Sequence, residues 1–433
     1  MKVFVLSYLF MKDFFRVSHF SKKSKARIGE INTVHGKLKT PGFIAAATKG
    51  TIKTLTPKQV NEIGIEAACF NTYHLVTHPG ADIIAKVGGI HKYSGLNIFA
   101  MSDSGGFQVF SLARNQRKAD VRGEEQPLLV KISGDGVRFR SLHDGQLIEF
   151  TPEKSMEYQL KIGADINMAF DECTYYPATH EYAEDAMNRT HEWLKRCVQF
   201  RARQRNFLLS GNPPRLGGES QGVKNLLSSP STNNGQLVTS DQFLYGIIQG
   251  ATFEDLRKKS AEFVVAQNTP GIAIGGVSVG ESKKEMRDQV KWMADYLPKD
   301  RPVHLLGVGQ IDDIIDLVKY GVDTFDCVEP TRLARMGTLY KMSNNKLQMT
   351  NKSQILNDKD LKIDITRTEY KNNFEKLDVN CNCYVCTNFT KSYLHHLFKQ
   401  REILGYTLAT HHNLYFMEKL FDKIRELIIK DQI

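Results

Sequence analysis

The chain has 433 residues, 41% apolar and 24% charged, which excludes a disordered, collagenous or coiled-coil protein. No run of 18 apolar residues occurs and mean hydropathy is −0.35, so no membrane-spanning helix is expected. Lys and Arg number 58 against 48 Asp and Glu, a net charge of +10 that suits a phosphate-rich partner.

At the N-terminus, residues 3–11 are mostly apolar after Lys2, as in a signal peptide. Lys12 and Asp13 interrupt the run and no small-residue cleavage site follows, so it reads as an extension or first strand. Seven scattered cysteines argue against a disulfide scaffold and for a reduced, cytoplasmic compartment. Residues 1–40 carry a basic stretch, Lys22 to Arg27, expected to lie on a solvated hairpin.

Short β-rich runs then recur at 43–47, 67–72, 98–102, 165–170, 243–248, 272–275, 303–307 and 324–328. Several are continuously apolar, as in strands buried on both faces. Helical patterns lie between them, at 57–63, 156–162, 181–205, 283–296 and 311–320. Alternating β and α predicts a parallel sheet. The count is near eight and no GxGxxG follows the first strand, so a closed (β/α)₈ barrel over 41–340 is expected. Residues 206–240 hold five Gly, three Pro, six Ser and five Asn and read as a surface loop inserted in the barrel. The region 341–433 reads as a smaller C-terminal unit. Residues 388–405 are predicted helical, with Gly405 as the C-terminal stop.

Within that unit, Cys381-x-Cys383-x-x-Cys386 is followed 25 residues later by His411-His412. Three thiolates and one imidazole complete a tetrahedral zinc site with no open position, so the metal is expected to be structural.

Polar residues fall where the predicted strands end. Asp103 follows 98–102 in Asp103-Ser104-Gly105-Gly106-Phe107-Gln108, Asp171 closes 166–170, and Gln249-Gly250 closes 243–248. Gly275-Gly276 follows 272–274, and Asp326 sits in Phe325-Asp326-Cys327-Val328. In a barrel these ends share one rim, where three carboxylates could supply a nucleophile, a proton-transfer group and a ligand for a donor-rich substrate. Each has a plainer alternative. An Asp at a strand end also caps helices, Gly-Gly pairs also make tight turns, and Phe107 and Cys173 also serve as core residues. The basic run Arg189, Lys195, Arg196, Arg201, Arg203 and Arg205 fits a solvated helix face better than a phosphate track.

Taken together, the motifs resemble the tRNA-guanine transglycosylase (queuine tRNA-ribosyltransferase) family. The resemblance runs from about residue 26 to 416, interrupted by 206–240. It rests on Asn71-Thr72-Tyr73-His74-Leu75, Asp103-Ser104-Gly105-Gly106-Phe107-Gln108-Val109 and Phe170-Asp171-Glu172-Cys173-Thr174. Gly246-Ile247-Ile248-Gln249-Gly250, Gly275-Gly276-Val277-Ser278-Val279-Gly280-Glu281 and Gly307-Val308-Gly309 extend it. Phe325-Asp326-Cys327-Val328-Glu329-Pro330-Thr331-Arg332, the cysteine cluster and His412-Asn413-Leu414 complete it.

The resemblance implies a (β/α)₈ barrel with a zinc-bearing subdomain, which exchanges guanine at the anticodon wobble position for a 7-deazaguanine base. The tRNAs implied carry GUN anticodons, those for aspartate, asparagine, histidine and tyrosine. Asp326 matches the nucleophile and Asp103 the general acid/base. Ser104, Gly105, Gly106, Phe107, Asp171, Gln249 and Gly276 match the base pocket, with Phe107 stacking on the ring, Asp171 accepting from the guanine edge, and Gln249 and the Gly276 amide donating to the carbonyl.

Gly307, Val308, Gly309, Asp313, Thr331, Arg332, Leu333, Ala334 and Arg335 match segments that contact the tRNA anticodon loop. Cys381, Cys383, Cys386 and His412 match the zinc ligands, one ion per chain. Cys173 and Val279 match the bacterial branch, whose base is 7-aminomethyl-7-deazaguanine (preQ1) and whose enzymes are homodimers. The alternative is a queuine-inserting enzyme of the same family. Departures are the 206–240 insert, Ala45-Ala46-Ala47, and Glu329, whose charge is expected to weaken phosphate binding.

Overall fold

In a computed structural model, residues 13–106, 131–141, 145–210, 242–341 and 361–433 are described. The alternation of inward and outward side chains organises the chain. Eight parallel strands close a barrel in the order β4 (Gly42–Ala46), β5 (Ala67–Phe70), β6 (Phe99–Ser102), β10 (Ile166–Met168), β11 (Phe243–Ile248), β12 (Gly271–Ile274), β13 (Val303–Leu305) and β14 (Thr324–Cys327). Each lies within or one residue beyond an expected run. β14 pairs with β4, Phe325 opposite Phe43, and seals the ring.

Ile44, Ala67, Phe99, Met101, Ile166, Met168, Tyr245, Ile247 and Ala273 fill the interior as one cluster. Phe43, Ala45, Phe70, Ala100, Ile272, Ile274 and Phe325 belong to the cluster that includes the surrounding helices. Both strand faces are therefore apolar, which is why the runs are continuous rather than alternating.

The N-terminal residues form a three-stranded antiparallel sheet, β1 (Phe15–Phe20), β2 (Arg27–Thr33) and β3 (Gly36–Thr40), in place of a solvated hairpin. Phe14, Phe15, Ile31 and Leu38 join the barrel interior, with Phe14 stacked 3.8 Å from Phe243 at the start of β11. The sheet thus covers the end of the barrel where the strands begin. Arg27 departs from the solvated reading of the basic stretch. It is buried, Nε bonding Asp323 Oδ1 at 2.8 Å, with further bonds to the carbonyls of Pro298 and Arg301. Residues 1–12 lie outside the described residues.

A second antiparallel sheet, β7 (Lys131–Ile132), β8 (Val137–Arg140) and β9 (Leu147–Phe150), interrupts the barrel after β6. Its Phe139 and Phe150 pack near Tyr73 and Phe170 beside the opposite rim. The helix His180–Ser210 runs through the first residues of the expected insert, and 211–241 lie outside the described residues. Three of its basic residues reach across to other elements, Arg189 to Glu172, Arg196 to Glu153 and Arg201 to the Gln242 carbonyl, whereas Lys195 pairs with Glu192 on the helix surface and Arg203 and Arg205 are exposed.

The single helix expected at 388–405 is instead parts of three: Tyr384–Asn388, Lys391–Gln400 and Ile403–Ile429. Arg401, with φ of 57°, ends the middle one. Gly405 lies inside the long helix, and a Cβ there would sit 3.1 Å from Leu397 Cβ, so the glycine permits close helix packing rather than a stop. Ile403–Ile429 lies over the β14–β4 seam, Phe421 reaching Phe43 and Phe325.

Candidate active site and metal cluster

Asp103 follows β6 directly. Its Oδ1 accepts bonds from the amides of Thr72 (2.8 Å) and Gly105 (3.1 Å), and its Oδ2 from Asn71 Nδ2. Asn71 also N-caps the helix Thr72–Thr77 through Oδ1, so one side chain fixes both helix and carboxylate. Burial, reinforced by the nearby Asp326 and Asp171, pushes Asp103 up to about 7 against the amide bonds that favour its charge.

Asp171 is buried just beyond β10. Its Oδ1 accepts from Ser104 Oγ at 2.8 Å and its Oδ2 from Gln249 Nε2 at 2.7 Å. Burial pushes it up to about 6 despite these bonds. Gln249 leaves a second amide proton on Nε2, while its buried Oε1 has no partner among the described residues. Gly276, with φ of +62°, lies so close that a Cβ there would meet Gln249 Oε1 at 2.2 Å. Gly105 and Gly106 complete this wall, and Phe107 lies outside the described residues.

Asp326 lies on β14, its Oδ1 2.9 Å from the Gly307 amide and 3.3 Å from His304 Nε2. Oδ2 accepts no hydrogen bond among the described residues. Asp103, Asp171, Asp326, Ser104, Gly105, Gly106, Gln249 and Gly276 therefore all belong to the rim where the barrel strands end. Three carboxylates, a donor-lined wall and an open carboxylate oxygen can bind a polar ring and exchange protons with it.

The predicted RNA-contact residues divide. Arg332 is exposed and Arg335 and Leu333 half-buried, on the helix Glu329–Arg335 that follows β14. Gly307 is exposed, whereas Val308, Gly309, Thr331 and Ala334 are buried. Asp313 is buried, and its Oδ1 accepts from Arg287 Nε at 2.8 Å. Glu329 is bound to Lys362 Nζ at 2.8 Å, which offsets the charge expected to oppose phosphate.

Sequence reasoning missed several residues. Lys49 and Lys53 are exposed beyond β4, and with Arg332 they form no ion pair among the described residues. Burial and the nearby Arg335 and Lys49 lower the Lys53 ammonium, so these cations share one patch. Arg257 is wholly buried without a carboxylate. It donates to the carbonyls of Ala251, Gly275 and Gly276 and to Gln289, holding the glycine wall, and burial lowers it to about 10. His304 had no signal beyond its place in a β-rich run.

Cys381, Cys383, Cys386 and His412 are buried together. The sulfurs lie 3.8, 3.4 and 3.4 Å from His412 Nδ1. A tetrahedral metal site with sulfur at about 2.3 Å and nitrogen at about 2.0 Å requires roughly 3.5 Å between such atoms, so the set fits. His412 Nε2 donates to the Tyr340 carbonyl at 2.8 Å, which leaves Nδ1 with its lone pair toward the thiolates. His411 Nδ1 has no partner among the described residues and lies outside the set.

The family model described as Queuine tRNA-ribosyltransferase matches residues 22–433. The chain is 40% identical over 411 residues to a queuine tRNA-ribosyltransferase of Caldanaerobacter subterraneus subsp. tengcongensis, covering 95% of this chain and 92% of that one. A protein of the same name from Thermoanaerobacter pseudethanolicus is 40% identical over 97% of this chain and 94% of its own. One from Lysinibacillus sphaericus is 37% identical over 97% and 93%.

Cys383→Ser is expected to lose the bound metal and to lower the melting temperature by at least about 5 °C, because metal binding is coupled to folding. Elemental analysis and thermal melting check this, and full metal content with an unchanged melt contradicts it.

Proposed function

Because the chain belongs to the queuine tRNA-ribosyltransferase family of pentosyltransferases, we propose that it exchanges guanine at the wobble position of GUN-anticodon tRNAs for preQ1. The observation that carries the chemistry is the pairing of two unlike carboxyl groups on one rim. Asp326 keeps one oxygen free, and Asp103 is pushed up to about 7.

In the first half-reaction Asp326 Oδ2 attacks the ribose C1′. The C1′–N9 bond breaks, an ester to Asp326 forms, and Asp103 gives its proton to the departing guanine. In the second, the incoming base returns a proton to Asp103, its N9 attacks C1′, and the ester breaks. A group near 7 serves both directions. Asp171 receives the N–H edge of the base, Gln249 and the Gly276 amide donate to its carbonyl, and Phe107 stacks on it. The nucleotide leaves the anticodon stack to enter. Arg332, Arg335, Lys49 and Lys53 are suited to the flanking phosphates, beside Gly307 to Gly309, Asp313, Thr331, Leu333 and Ala334.

The reading includes one structural zinc ion held by Cys381, Cys383, Cys386 and His412, which stabilises the fold when bound. It also includes a cytoplasmic homodimer. The chain divides into an extension at 1–40, a catalytic barrel at 41–340 and a zinc-binding unit at 341–433. No helix among the described residues is long and apolar enough to cross a membrane.

Denaturing gels of protein incubated with tRNA are expected to show an adduct that Asp326→Ala abolishes. An adduct that persists in Asp326→Ala contradicts the assignment.

Asp103 must be protonated for guanine to leave. Below about 7 it holds the proton and above it does not, so single-turnover adduct formation is expected to slow as pH rises through about 7. Asp103→Asn is expected to lose this limb and to slow formation by about 10²- to 10⁴-fold. A limb retained in the variant assigns the proton elsewhere.

Val279 is half-buried in the turn where Glu281 accepts its amide, and is stiff at χ1. A branched side chain at this position suits an aminomethyl group better than the cyclopentene ring of queuine. Competition kinetics are expected to favour preQ1 by about 5- to 150-fold. Equal uptake favours the queuine-inserting alternative.

A further inference from the structure

We infer that His304 is a positioning residue for Asp326, fixing which carboxylate oxygen forms the ester and stabilising that carboxylate as it leaves. The inference rests on Asp326 being the nucleophile.

His304 and Thr324 occupy opposite register positions on β13 and β14, and both are fully buried. His304 Nδ1 is 2.9 Å from Thr324 Oγ1. If the hydroxyl donates there, the neutral ring carries its proton on Nε2. That nitrogen faces Asp326 Oδ1 at 3.3 Å, just short of a formed hydrogen bond, and has no other partner among the described residues. A buried imidazole nitrogen without a partner is costly unless a charge beside it uses it.

The Gly307 amide already holds Oδ1 at 2.9 Å. Oδ1 therefore carries one formed bond and has His304 Nε2 within reach, and Oδ2 remains to bond C1′. When the ester forms, Oδ1 becomes its carbonyl oxygen and loses charge. When the ester breaks, the electron pair returns to the carboxylate and Oδ1 regains charge. A donor placed at Oδ1 in advance assists the second step more than the first.

The assignment predicts a split between the two half-reactions. With preQ1 and tRNA, His304→Phe is expected to form the adduct at a rate near that of the unmodified protein. Its breakdown should slow by about 10- to 100-fold, the range for losing a hydrogen bond to a charged group. Adduct then accumulates at steady state, and kcat and the KM for tRNA fall together while kcat/KM for tRNA is unchanged. His304→Gln, whose amide can donate to Oδ1, should restore breakdown to within a few-fold. Thr324→Val, which frees the tautomer without emptying the site, should slow breakdown in the same direction.

Unchanged breakdown in His304→Phe, or in Thr324→Val should the first variant fail to fold, overturns the inference. Equal slowing of both half-reactions with a raised KM for tRNA overturns it too. Persistence of the adduct in Asp326→Ala overturns the nucleophile assignment itself, and so separates the two failures.

Discussion

The site depends on holding carboxylates together without giving them cations. Asp103, Asp171 and Asp326 form no ion pair with lysine or arginine among the described residues. Their oxygens are met by amides, a hydroxyl, side-chain amides and an imidazole. A guanidinium at Asp103 would hold its carboxyl well below neutrality and keep it ionised near pH 7. The cations stand one layer out, at Lys49, Lys53, Arg332 and Arg335. The one fully buried arginine close by, Arg257, is occupied with backbone carbonyls and Gln289. Neutral donors are weaker than charged ones, so several must be aimed at each carboxylate. That aim comes from many strand ends, and only a closed ring holds those ends in fixed relation.

This explains what was legible in the sequence. Strands buried on both faces leave apolar runs, and polar residues at their ends mark the rim. Asp103, Asp171, Gln249 and Asp326 stand out for that reason, and the helix Pro57–Ile63 matches its expected bounds because Thr56 and Gly64 cap it by familiar rules. Residues that act through distant partners leave no such trace. Asn71 reaches Asp103, Arg257 reaches Gly275 and Gly276, and His304 reaches Asp326, each by strand order rather than spacing. Arg27 reads as solvated because its partner Asp323 lies 296 residues away. Gly405 reads as a stop because glycine commonly ends helices, whereas here it makes room for Leu397.

The metal cluster and the rim share a backbone connection. Next to His412, Asn413 accepts from the Tyr340 amide and donates to the carbonyls of Pro330 and Thr338. The helix that supplies an imidazole to the cluster thus also steadies the segment carrying Arg332 and Arg335. Lys362, from the short strand paired with Thr338–Tyr340, adds its bond to Glu329. Orientation of the cationic patch is therefore tied to the cluster.

The strand that bears Asp326 is also the strand that closes the barrel. As the chain leaves the ribosome, β4 emerges early and waits with an open edge until β14 arrives. Open edges invite pairing with other chains, and the long separation makes their closure slow. The event that removes the last open edge is the same one that sets Asp326 beside Asp103. A chain that ends before β14 therefore has Asp103 and Asp171 but lacks Asp326, and the third rim carboxylate takes its place only as the ring closes.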